Sequence, residues 1–215
     1  MIRSLIRDRV RLLLGEPPSG GRWADAQYNT AINEAQDDVA IRTKCLKTYA
    51  QFVTSAATAE YSIAEASLAN FIDIAEVWYF TGTDTYDVLT PVSRDELAWY
   101  QSNNRGHTGY PEVYCYEDRV IEFDVETEAG KTCRIYYYKL PTALSADDGV
   151  SLIPTKFHQS LVYYTCWKFC ESDGLDPNRT GYFKNQYNEE IAKMRSILVP
   201  PASSYQGIKD DTRGY

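Results

Sequence analysis

Residues 161–167 read Leu161-Val162-Tyr163-Tyr164-Thr165-Cys166-Trp167, the centre of a predicted helix that is apolar on nearly every side. A helix with this pattern is buried on most of its surface, so other elements have to pack around it. The predicted helix starts at Ile153-Pro154 and extends to about residue 172. This stretch therefore predicts the central helix of a helical core.

A second helix is predicted directly after the first. Gly174 ends the first helix, and Asp176-Pro177 provides an N-cap and a proline at the first position of the next one. The apolar residues of the second helix recur at helical spacing: Phe183, Tyr187, Ile191, Met194 and Leu198. Because a few residues join the two helices, we expect them to be antiparallel neighbours.

Two further helices are predicted near the N-terminus. Residues 2–14 have an amphipathic pattern in which Arg3, Arg7 and Arg11 lie away from the apolar face. The residues of that apolar face are Ile2, Leu5, Ile6, Val10 and Leu13. A loop rich in glycine and proline spans 15–21, and a longer helix runs from about residue 23 to residue 43.

Between residues 45 and 138 the pattern changes to the period of two that is typical of strands. The predicted strands are 48–54, 72–80, 86–89, 112–116, 120–123 and 133–138. Residues 117–118 and residues 129–130 are predicted hairpin turns. One helix interrupts the strands, because the capping box at 93–96 precedes the apolar residues Leu97 and Trp99.

Helices, then strands, then helices define an α+β protein. We expect the N- and C-terminal helices to form one helical bundle and the strands to protrude from it as an inserted β-rich subdomain. The predicted divisions are bundle helices at 1–45, the insert with one short helix at 46–152, the C-terminal helix pair at 153–199 and an extended tail at 200–215.

The composition excludes several classes of protein. Of 215 residues, 22 are Lys or Arg and 30 are Asp or Glu, which gives a net charge of −8. An acidic chain without a basic run neutralises few phosphates, so a general DNA-binding protein is not expected. No apolar stretch reaches the roughly 18 residues of a membrane span, so no membrane partner is predicted. The 18 tyrosines indicate an interface, although strands also favour tyrosine.

Few residues are candidates for chemistry. The common nucleotide-binding, hydrolase and metalloprotease motifs do not occur, and no catalytic, cofactor-binding or metal-binding residue is assigned. His107 is expected to be a solvated side chain in a glycine-rich loop, and His158 a neutral packing residue at the start of a helix. Cys166 and Cys170 are expected to be small buried residues.

The charges are divided along the sequence. Residues 54–100 contain eight acidic side chains against Arg94, whereas residues 1–11 contain four arginines against Asp8. Two opposite patches on one chain suit head-to-tail association, so we predict contacts between neighbouring copies. The residues assigned to the two patches are Arg3, Arg7, Arg11, Asp73, Glu76, Asp84 and Asp87. The alternative, that both patches are ordinary solvated surfaces, remains open.

The ordered elements resemble the head–tail adaptor, or connector, proteins of tailed bacteriophages, and the resemblance covers nearly the whole chain. The residues that carry it are Gly15-Glu16-Pro17-Pro18, Trp23 with Ile32-Asn33-Glu34-Ala35-Gln36, Ser93-Arg94-Asp95-Glu96-Leu97, Gly109-Tyr110-Pro111, Ile153-Pro154, and Tyr182-Phe183 with Tyr187 and Ile191. A polar tail follows these elements.

The resemblance implies a homo-oligomeric ring, typically a dodecamer, in the neck of the virion. Such a ring docks beneath the portal protein and above the downstream tail or nozzle proteins, extends the DNA channel, and lets DNA pass without specific binding. In related adaptors the C-terminal segment reaches the portal, which here implies portal contacts by Tyr205, Ile208 and Tyr215. No cofactor is implied, and the protein is expected to be made in the cytoplasm of the host bacterium.

Two alternatives belong to other classes of protein. Exposed tyrosine and tryptophan side chains can stack on sugars, which favours a receptor- or carbohydrate-binding module or another phage structural role. A hydrolase that uses Asp84 and Asp87 as a carboxylate pair is the third hypothesis.

Overall fold

The computed structural model describes residues 1–62, 68–82, 85–104, 107–172, 174 and 176–198. This part of the chain contains five α-helices and an eight-stranded curled sheet, so the protein is mixed α+β. The helices are α1 (Arg3–Leu14), α2 (Asp25–Thr43), α3 (Arg94–Asn103), α4 (His158–Ser172) and α5 (Pro177–Leu198). The strands are β1 (Lys47–Val53), β2 (Thr58–Ser62), β3 (Phe71–Phe80), β4 (Tyr86–Pro91), β5 (Thr108–Gly109), β6 (Val113–Glu117), β7 (Val120–Thr127) and β8 (Thr132–Lys139).

The five predicted helices and six predicted strands are all present. A 3-10 turn at Thr155–Phe157 precedes α4, where the sequence predicts the start of the helix. The short strands β2 and β5 were not predicted from the sequence. The predicted tail at 200–215 lies outside the described residues.

The chain divides into two compact units. The helical unit comprises Met1–Cys45 together with the described residues from Thr142 onward, and it contains α1, α2, α4 and α5. The β unit is Leu46–Pro141 and contains the sheet and α3.

Helix α4 is the centre of the helical unit, as its apolar composition predicts. It packs against α1, α2 and α5, and its residues Leu161, Val162 and Cys166 are completely buried. The ring of Phe169 lies 4.7 Å from the ring centroids of both Trp23 and Tyr28. Aromatic packing of this kind fixes the neighbouring helix more specifically than aliphatic contact alone.

Helix α5 begins as predicted, because the Asp176 carboxylate accepts a hydrogen bond from the backbone N–H of Asn178 at 2.9 Å. Four residues of the predicted apolar stripe are buried: Phe183, Tyr187, Ile191 and Met194. Leu198, the fifth, is 37% exposed at the end of the helix. The Tyr187 hydroxyl donates to Asp38, and burial raises the pKa of Tyr187.

The sheet of the β unit has the strand order β1-β8-β3-β4-β6-β7-β2, with β5 beside β7. The pairings are antiparallel except for β4 with β6 and β5 with β7. Its core is rich in aromatic and β-branched side chains, including Val77, Tyr79, Ile121, Phe123 and Ile135. The capping box of α3 is confirmed, since Ser93 Oγ accepts from the Glu96 backbone and the Glu96 carboxylate accepts from Ser93.

One of the two predicted hairpin turns is confirmed and the other is wrong. Asp118 and Arg119 have positive φ angles of 50° and 66° and connect the paired strands β6 and β7. The turn at 129–130 exists, but in the described sheet β7 pairs with β6, β5 and β2, whereas β8 lies between β1 and β3. Thr54 holds that turn instead, because its backbone N–H donates to Lys131 and its carbonyl accepts from Gly130.

We predict that Leu161→Ala lowers the free energy of unfolding of the helical unit by about 2–5 kcal/mol, because it leaves a cavity in a close-packed site. Leu12→Ala is the matched control, since Leu12 is 77% exposed. Urea titrations followed by circular dichroism measure the change. Equal transition midpoints for the two variants would contradict the central position of α4.

Candidate functional site

Three of the four arginines of α1, Arg3, Arg7 and Arg11, are buried and paired inside the helical unit. Arg3 donates to the Leu144 carbonyl at 2.6 Å and to Asp147 at 2.9 Å. Arg7 donates to both carboxylate oxygens of Asp147, at 3.1 and 3.2 Å. Arg11 pairs with Asp25, and its guanidinium also donates to the Pro18 carbonyl at 2.7 Å.

This network corrects the predicted orientation of α1. The buried residues of the helix are Arg3, Ile6, Arg7, Val10, Arg11 and Leu14. Leu5 and Leu13, which the sequence predicts on the apolar face, are 51% and 38% exposed. The orientation of α1 has an electrostatic and geometric reason. Arg3, Arg7 and Arg11 are spaced by four residues and so share one helix face, and their partner carboxylates lie on that side.

Each guanidinium is buried, whereas the side chain of Asp147 is 57% exposed. The hydrogen bond to Asp147 raises the pKa of Arg7, and the bonds from Arg7 and Arg3 lower the pKa of Asp147. A buried charge is tolerated when it is paired and hydrogen-bonded. Arg3 and Arg7 meet both conditions through their terminal nitrogens, whereas their buried Nε atoms have no hydrogen-bond partner among the described residues. The predicted contact of these arginines with a neighbouring copy remains a prediction.

The acidic residues assigned to the opposite patch lie in the β unit. The Glu76 carboxylate accepts from Lys47 at 2.6 Å and from the Trp78 indole at 3.0 Å, and the bond from Lys47 lowers its pKa. Asp73 accepts from the backbone of Ile74 on the same strand. Asp87 is exposed on β4, and Asp84 lies outside the described residues.

The two units carry different net charges. By sequence, residues 46–141 contain 7 basic and 15 acidic side chains, so they account for the whole net charge of −8. The remaining residues contain 15 of each sign. A surface of the β unit therefore repels polyanions, whereas the rest of the chain is neutral overall.

One face of the sheet, formed by β1, β8, β3 and β4, carries a continuous array of aromatic rings. We call it the aromatic face and define it by Tyr49, Trp78, Phe80, Tyr86 and Tyr136. Trp78 stacks on Tyr86 at 4.2 Å with parallel rings, and Tyr136 lies 4.7 Å from Trp78 and 5.7 Å from Tyr49. Tyr49 and Tyr86 are 55% and 44% exposed.

A guanidinium lies among these rings. Arg134 of β8 lies 4.8 Å from the ring centroid of Tyr49 and 4.9 Å from that of Phe80. It donates to Tyr136 and Gln51, and no carboxylate of the described residues pairs with it. Tryptophan, tyrosine and arginine are the residue types that dominate binding energy at protein interfaces.

A second exposed surface is the outer side of α1. We call it the leucine stripe and define it by Leu5, Leu12 and Leu13, which are 51%, 77% and 38% exposed. Asp8 lies between Leu5 and Leu12 on the same side, at helical spacing of three and four. Apolar patches of this kind mark interaction sites more often than chance exposure does.

The candidates for chemistry lie where the sequence analysis expected them. His158 is buried with its Nε2 donating to the Ile153 carbonyl at 2.6 Å, and burial lowers its pKa. Cys166 and Cys170 are buried, and His107 is exposed. No cluster of three or more metal-ligating side chains occurs among the described residues. None of the helices described here is long and apolar enough to cross a membrane.

The β unit also contains an open cleft of about 430 Å³ beside α3. Aromatic side chains of Trp99, Tyr100 and Tyr110 line it together with polar groups of Asn103 and Glu112. Trp99 is 63% exposed, and its ring makes an edge-to-face contact with Tyr100 at 5.0 Å between centroids.

Exposed surfaces rich in tryptophan, tyrosine, arginine and leucine are typical of proteins that assemble with others. The family model of the SU10 adaptor protein matches residues 2–206, and the chain belongs to this family of phage head–tail adaptors. A comparison with curated proteins finds no match.

Family membership confirms the resemblance found in the sequence. The protein is a bacteriophage structural adaptor whose family is located in the virion and interacts with head and tail components. The family is not an enzyme family. The sequence analysis did not identify the aromatic face or the leucine stripe. A signal for the aromatic face was present, because Trp78 and Phe80 alternate along one strand and Arg134 and Tyr136 alternate along another.

We predict that Asp147→Asn destabilises the helical unit, because it leaves Arg3 and Arg7 buried without their shared carboxylate. Folding lowers the pKa of Asp147, so its ion pairs stabilise the protein above about pH 4 and that contribution is lost as the pH falls further. Urea midpoints measured from neutral to acid pH test this expectation. The gap between wild type and variant should close at acid pH.

Asp148→Asn is the control for this experiment. Asp148 is the exposed neighbour of Asp147, and its removal should leave the urea midpoint unchanged at every pH. An equal loss of stability in both variants would show that the arginines do not depend on Asp147.

Proposed function

We propose that this protein forms a ring under the portal of a tailed phage, where it extends the DNA channel and connects the filled head to the tail. The observation that carries the proposal is the match of residues 2–206 to a head–tail adaptor family. The two exposed surfaces support it, since contacts in a ring join two different surfaces of the same kind of chain.

The charge distribution suits a channel through which DNA passes. Binding to DNA requires that Lys or Arg side chains neutralise phosphates. The three buried arginines of α1 are engaged by carboxylates of their own chain, and the β unit has an excess of acidic residues. Such a surface guides the polyanion without retaining it.

The C-terminal tail is the proposed portal-binding segment. It contains three large side chains separated by polar residues: Tyr205, Ile208 and Tyr215. Isolated apolar anchors in a polar segment are typical of sequences that fold on binding a partner. The last buried residue of the described helices is Met194, so removal of the tail takes no residue from the described core.

Deletion of residues 203–215 is expected to leave a folded protein that no longer docks to purified portal rings. The reason is that the deletion removes the anchors while it retains every described helix. Electron microscopy of the protein mixed with portal measures docking, and circular dichroism measures folding.

The matched comparison uses two triple variants of the full chain. One variant replaces the anchors with alanine at Tyr205, Ile208 and Tyr215, and the other replaces the polar residues Ser203, Gln206 and Thr212. The anchor variant should lose docking and the polar variant should keep it. Equal docking by both variants would refute the assignment of the anchors.

A second candidate function, saccharide binding, is favoured by the cleft beside α3. Exposed aromatic rings next to amide and carboxylate groups can stack on a sugar ring and hydrogen-bond its hydroxyls. Trp99, Asn103 and Glu112 provide these groups.

If the cleft binds saccharides, Trp99→Ala should abolish binding on a glycan array of bacterial surface sugars, because the stacking platform is lost. Tyr182→Ala is the control, since Tyr182 is an aromatic residue of the helical unit with 56% exposure. Absence of any bound glycan for the wild-type protein removes this candidate.

A further inference from the structure

We propose that the leucine stripe on α1 of one copy packs against the aromatic face of the next copy. This inference rests on the proposed ring and names the two surfaces that close it. The occupant of the aromatic face is thus a second copy of this chain.

The two surfaces are complementary in size and polarity. Helix α1 has 12 residues and is about 18 Å long, and β1 has 7 residues and is about 23 Å long. Leu5 and Leu12 present branched aliphatic groups, whereas Trp78 and Tyr86 present ring faces and edges. Contact between aliphatic and aromatic side chains stabilises an interface because it removes the apolar surface of both from water.

The two surfaces are also complementary in charge. Arg134 lies among the rings without a carboxylate partner in the described chain, whereas the neighbouring Lys47 is neutralised by Glu76. The leucine stripe has Asp8 between Leu5 and Leu12. Asp8 lies 3.8 Å from the Arg11 guanidinium of its own helix, and 59% of its side chain is exposed, so its carboxylate can meet a second cation. An ion pair between Asp8 and Arg134 would satisfy the guanidinium and fix the register of the helix on the sheet.

The neighbouring basic residue on α1 does not oppose this pairing. Arg9 donates to Gln159 of α4 at 3.0 Å, so its guanidinium is turned toward the helical unit. The buried arginines of α1 point to the other side of the helix.

The proposed contact joins two different surfaces and is therefore heterologous. Each copy offers its stripe to one neighbour and its aromatic face to the other, and such contacts close into a ring when the rotation between copies allows it. An isologous dimer would instead join like surfaces and stop at two copies.

Disulfide trapping between singly substituted chains tests the proposal. One chain carries Leu12→Cys, and the other carries Val88→Cys, which lies beside Trp78 on the aromatic face and is 55% exposed. Both chains also carry Cys45→Ser, because Cys45 is the native cysteine that is not fully buried. Under mild oxidation the mixed sample should give the covalent heterodimer at about tenfold the yield of a control mixture, which corresponds to about 1.4 kcal/mol of preference.

The control mixture replaces Leu12→Cys with Ile41→Cys on α2, a helical-unit position of 52% exposure. Equal yields in the two mixtures, or no cross-link even on portal rings, would overturn the proposal.

A charge exchange provides the second readout. Asp8→Arg on the Leu12→Cys chain should reduce the yield, and Arg134→Asp on the Val88→Cys chain should restore it. Glu189→Arg, an exposed carboxylate on α5, should leave the yield unchanged. If the second change does not restore the yield, the Asp8–Arg134 pair is wrong.

The proposed function fails independently of this inference. Portal complexes seen by electron microscopy without specific cross-linking would refute the contact and keep the adaptor function. Specific cross-linking without docking to portal would keep the contact between copies and refute the proposed function at the portal.

Discussion

Burial of the arginine side chains of α1 is the constraint on which the arrangement of the helical unit depends. An unpaired buried guanidinium is very costly, so the helix can pack only where carboxylates and carbonyls meet all three. Asp25 provides one carboxylate from the start of α2, and Asp147 provides another after the chain returns from the β unit. The N-terminal helix and the returning segment are thereby tied together, and the outer side of α1 is left to its leucines.

This constraint also explains why the sequence predicted the helices correctly but oriented α1 wrongly. Helix ends depend on local signals, and the caps at Ser93 and Asp176 are found as predicted. The orientation of α1 depends on Asp147, which lies 140 residues from Arg7 along the chain. Hydrophobic periodicity predicts that charged residues face solvent. No local pattern indicates that a distant carboxylate turns the charged side of a helix toward the core.

The sheet shows the same division between local and distant information. Strand positions follow from alternation, so six strands were predicted, whereas the order β1-β8-β3 joins segments far apart in sequence. The turn at 129–130 was therefore predicted to be a hairpin, although in the described sheet the strands on its two sides, β7 and β8, pair with other strands and not with each other. The aromatic face exists because β8 lies between β1 and β3, so Tyr49, Tyr136 and Trp78 come together in a way that composition alone could not show.

The proposed contact of one helix with four strands would be a small interface, and small interfaces between soluble proteins are weak. In the proposed ring each copy would make two such contacts, and a template that held the copies side by side would raise their effective concentration. The proposal therefore implies weak contacts between free copies and stronger cohesion on a template, both from the same two surfaces. Under the proposed function, this combination would favour assembly on the filled head over assembly of free copies in solution.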